Sequence, residues 1–469
     1  MRSRASLIAL ATVLTLSGVS ERAMAQGGLG KKDKTQAQPP EQPPAQPAAP
    51  TGDPLPGPYI VRDHPRDVIL RMHLHVNSDN PTQKSYFRDP FTGKTAELPK
   101  ITPFEFTTLS VLWPAIPGSA SSDQAPNTLT GKLLLNDQVV STQPTLLEGY
   151  PGGVQFARFD TGDSQEKREC RQVDLFVENP MRIYRTTFDE VAAFKVPWPT
   201  GPWPKDVQSL MAPQLFLETG LDVTGAARAY DDKLVTEALD RFLKRAKISE
   251  PKGVTPVALA KVLTAAVWET IQISGQGQAS KDRTGEFAGL TLNPPAEALK
   301  AGRANEHEAA ALLATIFRKA GLPARVVIGW EAGTGEARFL SKSSTRNRIR
   351  TWVEFCLFDE AKNTVNWVPV DVSRLRRTGS RAQALDRPWN YFGSHDELDG
   401  VLPFAFQFFP PTDVSSYGYP AFWGWFATPK PPSQAEQALT FDAAASSAGP
   451  EDPRSKKDTK GKPEVKRGQ

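Results

Sequence analysis

Between residues 58 and 205 the apolar positions fall in short, partly alternating runs: "DVILRMHLHV", "FEFTTLSVLW", "GKLLLNDQVV", "GVQFARF", "QVDLFVE" and "MRIYRTTF". Pro, Gly, Asn and Asp separate them. Alternation broken by turn residues predicts antiparallel strands, and many short strands in succession predict a β-sandwich-like module. "VPWPTGPWP" at 196–204 reads as a stiff connector, after which the texture turns helical. In "DDKLVTEALDRFLKRAK" (231–247), Leu234, Val235, Ala238, Leu239, Phe242 and Leu243 recur at helical spacing. Thr255 and Pro256 open a second helix, with Thr as cap and Pro in the first turn. A third is expected from about Glu308 to Ala320, stopped by Gly321 and Pro323. Three strand-like runs follow, "ARVVIGW", "TWVEFCLF" and "TVNWVPVDV". Helices followed by an antiparallel sheet make residues 206–430 an expected α+β domain.

The ends have a different character. Arg2 and Arg4, the apolar "LIALATVLTLSGV" and Ala23-Met24-Ala25 form the pattern of a cleaved export signal over residues 1–25. Export would place the protein in the periplasm or outside the cell. No later stretch has the ~18–20 uninterrupted apolar residues of a spanning helix, so no integral membrane segment is expected after cleavage. Residues 26–57 are rich in Pro, Gln and Ala and are expected as a disordered linker. Residues 431–469 are expected as a disordered, Lys-rich tail. The formal charge is +4, and most of it lies in the leader and tail, which leaves the body near −1. This argues against a nucleic-acid partner, which needs a clustered basic face. Cys170 and Cys356 are the only cysteines. In an oxidising compartment they could pair, or each could be a small buried hydrophobe.

The texts "EAAALLATIFRKAGLPARVVIGW" and "RTWVEFCLFDEAKNTVNWVPVDVSR" resemble the transglutaminase-like core, a relative of the papain-like cysteine protease fold. The resemblance covers about residues 206–430. It implies a helix with a nucleophilic Cys at its N-terminus, a strand opening with a His, and an Asp after "WVP". Counting fifteen residues back from Gly321 places the nucleophile at Glu306; aligning on the local "EH" pair gives Ala304, with Asn305 between. None is Cys, Ser or Thr. The His position falls on Arg350, and its neighbours Ile349 and Thr351 do not supply one. Only the Asp, at Asp371, is kept.

The family chemistry needs all three parts: a thiolate to attack, an imidazole to move the proton, and a carboxylate to orient the imidazole. Arg stays protonated at any working pH and cannot serve as the base. The resemblance therefore implies a pseudoenzyme. Glu306, Arg350 and Asp371 restore the charge pattern of a resting thiolate–imidazolium pair. They are expected to form one closed ion network, unless Glu306 and Arg350 are solvated surface charges.

Substitute chemistry is weak. Cys356 follows Arg350 by six residues, about 20 Å along a strand at ~3.3 Å per residue. Ser341 beside Lys342 offers only adjacency in a loop. His307, Glu306 and Glu308 point in different directions on a helix, so no metal is expected there and His307 reads as solvated. His73 and His75 share a strand face, but no third ligand is identifiable, so no metal or cofactor is expected. Basic residues surround the degenerate cleft: Arg338, Lys342, Arg346, Arg348, Arg374, Arg376, Arg377 and Arg381. Trp330, Trp352, Trp367, Trp389, Tyr391, Trp423 and Trp425 lie near them in sequence. Arg beside aromatics suits a peptide, a protein or a cell-wall polymer, with Trp352 and Trp367 read as packing. The expected function is non-catalytic binding. The alternative is an amide-bond hydrolase or acyl transferase with an unidentified nucleophile.

Overall fold

A computed structural model describes residues 59–77, 86–88, 95–97, 103–150, 153–164, 166–214, 217–218, 231–275, 277–280, 287–332, 348–407, 423–429 and 436–445. The export signal, the linker, Arg338, Ser341, Lys342 and Arg346 lie outside them.

The first half is β, built on two long strands: β1 (Ile60–Asn77), then β2 (Thr108–Ala115), β3 (Thr130–Leu135), β4 (Gln155–Asp160) and β5 (Gln172–Phe188). β1 and β5 pair antiparallel over nearly their whole length, and β3 adds to β5. β4 and β2 form a second sheet. Alternation in β1 turns Val68, Leu70, Met72, Leu74 and Val76 inward. They share one apolar core with Leu133 and Leu175 of the first sheet and Val111, Trp113 and Phe159 of the second. This is the expected sandwich-like arrangement.

The α+β part follows with α1 (Asp232–Arg245), α2 (Pro256–Thr270), α3 (Glu306–Lys319), β6 (Ala324–Glu331), β7 (Ile349–Asp359), β8 (Thr364–Val370), α4 (Val372–Thr378) and β9 (Val401–Phe406). Its sheet is antiparallel in the order β8–β7–β6–β9. α3 is buried from Glu306 to Arg318, and every residue of β7 is buried. That explains why "EAAALLATIF" and "IRTWVEFCLF" are apolar on all sides: helix and strand are covered all round.

Two late strands return to the β module. β10 (Gly424–Thr428) pairs with β2, and β11 (Glu436–Ala445) pairs with β1 from Val68 to Asn77. The tail expected from residue 431 is therefore wrong over 436–445. The Ala-rich "EQALTFDAAA" has little strand propensity of its own. It is held by the edge of β1 and by Phe441, which stacks on Trp330 and Phe404. Residues Leu55–Gln469 consequently form one compact unit, with no break at the connector near 205. No described helix is long and apolar enough to cross a membrane.

Candidate functional site

Glu306, Arg350 and Asp371, the three positions singled out by the resemblance, lie at the N-terminus of α3, the start of β7 and the end of β8. Asn305 caps α3: its side-chain oxygen accepts from the amides of His307 (2.9 Å) and Glu308 (3.0 Å). The Glu308 carboxylate accepts from the Asn305 amide at 2.8 Å and from the Asn293 amide at 2.9 Å. This capping box consumes the donors of the first turn. It leaves Glu306 as the first helical residue, 5% exposed.

Glu306 does not meet Arg350. Its carboxylate accepts from Arg348 at 3.2 Å and from Arg377. Arg348 also pairs with Glu331 at 3.1 Å. Arg350 is spent elsewhere. Its Nε donates to Asp371 Oδ2 at 3.0 Å and Nη1 to Glu397 at 3.1 Å; Nη2 lies 3.0 Å from Nε2 of His395. The expected direct Glu306–Arg350 contact is thus corrected. Arg350 and Asp371 meet as expected, while Glu306 reaches them only through the chain Arg348–Glu331–Arg374–Glu397, because Arg350's donors are already taken by Asp371, Glu397 and His395.

Asp371 caps α4. Its Oδ1 accepts from the Arg374 amide (2.9 Å) and the Ser373 hydroxyl (2.7 Å). Burial, the largest single influence, would raise its pKa; the Arg350 guanidinium, His395 and the Arg374 amide together outweigh it and hold the carboxyl well below the usual range. His395 goes the same way for different reasons: burial first, then Arg350, push its imidazole below the ordinary value. The ring is therefore neutral at pH 7. With a guanidinium donor facing Nε2, the proton belongs on Nδ1, a buried atom with no hydrogen-bond partner. The Asp371–His395 separation of 3.9 Å is too long for a direct hydrogen bond.

His395 had no signal in the sequence. It arrives on a turn whose Phe392 bridges Val370 at the end of β8 and whose His395 bridges Thr186 of β5. Glu331 and Glu397 were equally unmarked. Both are the counter-charges of Arg374, at 3.0 and 3.1 Å.

Of the expected binding residues that are described, Trp330 is buried, Arg348, Arg374 and Arg376 are half-buried and already engaged, and Arg377 is exposed. Trp330 is 5% exposed and belongs to the core. Arg348 and Arg374 balance Glu306, Glu331 and Glu397. Arg376 donates to the carbonyls of Trp268 (3.1 Å) and Ser380 (2.9 Å). Arg377 alone of these four is exposed, though it too holds Glu306. His307, expected as solvated, is fully buried with Nδ1 2.7 Å from the Thr351 hydroxyl. Cys170 and Cys356 are both buried and free, so the pairing left open by the sequence does not form. Burial pushes the Cys170 thiol up to about 11, and pushes Cys356 up as well. Neither is a ready thiolate.

Two charged residues within the family words hold structure. Arg325 of "GLPAR" and Glu354 of "WVEF" are register partners across β6 and β7. They form a two-pronged buried ion pair at 2.9 and 2.7 Å. The Arg325 guanidinium is sandwiched between Trp367 and Phe406, at 4.0 and 3.9 Å. The other Glu354 oxygen accepts from the Ala120 amide of the β module at 2.8 Å.

Residues 257–372 match the family model of the transglutaminase-like superfamily, and the chain carries a transglutaminase-like domain. Among solved structures, it is similar to a candidate cysteine protease from Cytophaga hutchinsonii at 10% identity and a TM-score of 0.43, covering 82% of this chain and 92% of that one. It is also similar to the periplasmic domain of TgpA from Pseudomonas aeruginosa at 12% identity and a TM-score of 0.26, covering 64% and 87%. Likeness of this order carries no argument about activity. No curated protein sequence matches the chain.

Proposed function

We propose that this is an exported, non-catalytic transglutaminase-like protein that binds a peptide, a protein or a cell-wall polymer. One observation carries the reading: the nucleophile position is Glu306, and the base position is Arg350, 2% exposed and engaged by Asp371, Glu397 and His395. A carboxylate held by two guanidiniums does not attack a carbonyl, and a guanidinium does not accept a proton. The leader pattern of residues 1–25 supports export. Capping, buried ion pairs and stacked aromatics all serve to keep the scaffold rigid, which suits presentation of a surface.

The test has two arms. Amine incorporation into a glutamine-rich protein and amide hydrolysis should stay at background for the wild type and for Glu306→Ala alike. Turnover that is lost in Glu306→Ala or Arg350→Ala would overturn the non-catalytic reading. Sedimentation with isolated cell wall, compared with pull-down of peptides, separates the binding classes. Retention by neither would overturn the binding reading.

A further inference from the structure

The outer face of the β module holds a cluster that the transglutaminase-like reading does not use. His73 and His75 sit two residues apart on the solvent side of β1. Opposite His75 in the antiparallel register is Asp174 of β5. His73 Nε2 and His75 Nδ1 each lie 2.7 Å from the same oxygen, Asp174 Oδ1. All three ligand atoms fall within 4.8 Å of one another. The third ligand missing from the sequence is supplied across the sheet.

We infer that His73, His75 and Asp174 form a binding site for a divalent transition-metal ion of the zinc class. Two imidazoles and one carboxylate match the ligand preference of that class. Ligand atoms around a tetrahedral ion at ~2.0–2.1 Å stand about 3.3 Å apart. To admit an ion each histidine nitrogen would draw back from Asp174 by about 0.6 Å, and the two side chains, 35% and 31% exposed, have room to adjust. Each ring would turn its lone pair to the ion and keep its proton on the other nitrogen.

The surroundings are those of a prepared site. Asp174 is buried to 5% side-chain exposure, and its second oxygen accepts from Gln172 Nε2 at 2.7 Å, which fixes the carboxylate. Phe176 stacks on the His73 ring at 4.1 Å, interplanar angle 10°, and limits its orientation. Three protein ligands leave a fourth position for water or an exogenous donor on the exposed side.

The test is Zn2+ titration of the full chain, stripped with chelator and returned to neutral buffer, by calorimetry and by Co2+ absorption. One ion per chain with micromolar or tighter affinity is expected. His73→Ala and His75→Ala should each weaken it at least tenfold, and Gln172→Ala less. The chain has five histidines. Ring proton resonances of the wild type give a readout independent of any variant's folding, because Zn2+ should shift two of the five sets and no more. Absence of Co2+ absorption, or binding that persists in a His73→Ala/His75→Ala double variant, would overturn the site.

Discussion

Arg350→Ala tests the central geometry. The substitution removes a guanidinium that is 2% exposed and strands Asp371, which is 1% exposed. Removing one partner of a buried pair costs about 3–5 kcal/mol, mostly through the uncompensated charge. Here two losses are softened. Asp371 keeps the Ser373 hydroxyl and the Arg374 amide, and Glu397, 31% exposed, keeps Arg374. The expected loss is therefore near the lower end, about 3 kcal/mol. Glu306→Ala should cost about 1 kcal/mol, since its partners Arg348 and Arg377 are 22% and 44% exposed and can hydrate. Urea unfolding followed by the fluorescence of the ten tryptophans reads both. Glu306 and Arg350 are joined only at a distance, through Arg348, Glu331, Arg374 and Glu397, so the double variant should depart from the sum by about 0.5 kcal/mol, the small end for members of one ion network. A loss below about 1 kcal/mol for Arg350→Ala would refute the buried pair. A coupling of about 2 kcal/mol or more would point to a direct Glu306–Arg350 contact that the geometry denies.

Acid should act on His395 before it acts on Asp371. The folded chain holds His395 neutral with a lowered pKa, whereas the unfolded chain binds a proton from about pH 6.5 downward. Stability should therefore fall as pH drops below about 6.5, and the His395→Asn variant should lose less between pH 7 and 5; equal losses would show that the buried ring is not the cause. Asp371 is depressed, so its contribution is present above about pH 4 and is lost only as pH falls through its folded value. Thiol titration should find two reactive cysteines in denaturant and none in the native chain, and a native mass lower by two hydrogens would contradict the free thiols. Gly393→Ala should cost at least about 2 kcal/mol by urea unfolding. Gly393 has φ +74°, and an added Cβ would fall 2.3 Å from the Phe188 ring; a neutral substitution would mean that this turn, which carries His395, is loose.

Much of the α+β part was legible because its signals are local. The stripe of α1, the Thr-Pro start of α2 and the Gly321 stop of α3 each depend on neighbours in sequence. The family words were legible as well, although Arg325 and Glu354 turn out to hold the sheet together. The proposal that thiol and imidazole are replaced rests on the identities of Glu306 and Arg350, since no fold can give a guanidinium a general base's proton affinity. Which charge meets which could not be read. Arg348 and Arg350 are two residues apart, and only the placement of α3, Glu397 and the turn around His395 decides that Glu306 takes the first and Asp371 the second. The same holds for β11, whose alanines form a strand only because β1 offers an edge. It holds for Asp174, nearly a hundred residues from His75 and yet 2.7 Å from it. The chain by itself determined the local elements and the residue types at each position; tertiary structure decided the ion pairs and strand partners, because those energies depend on distance and burial, which sequence separation does not encode.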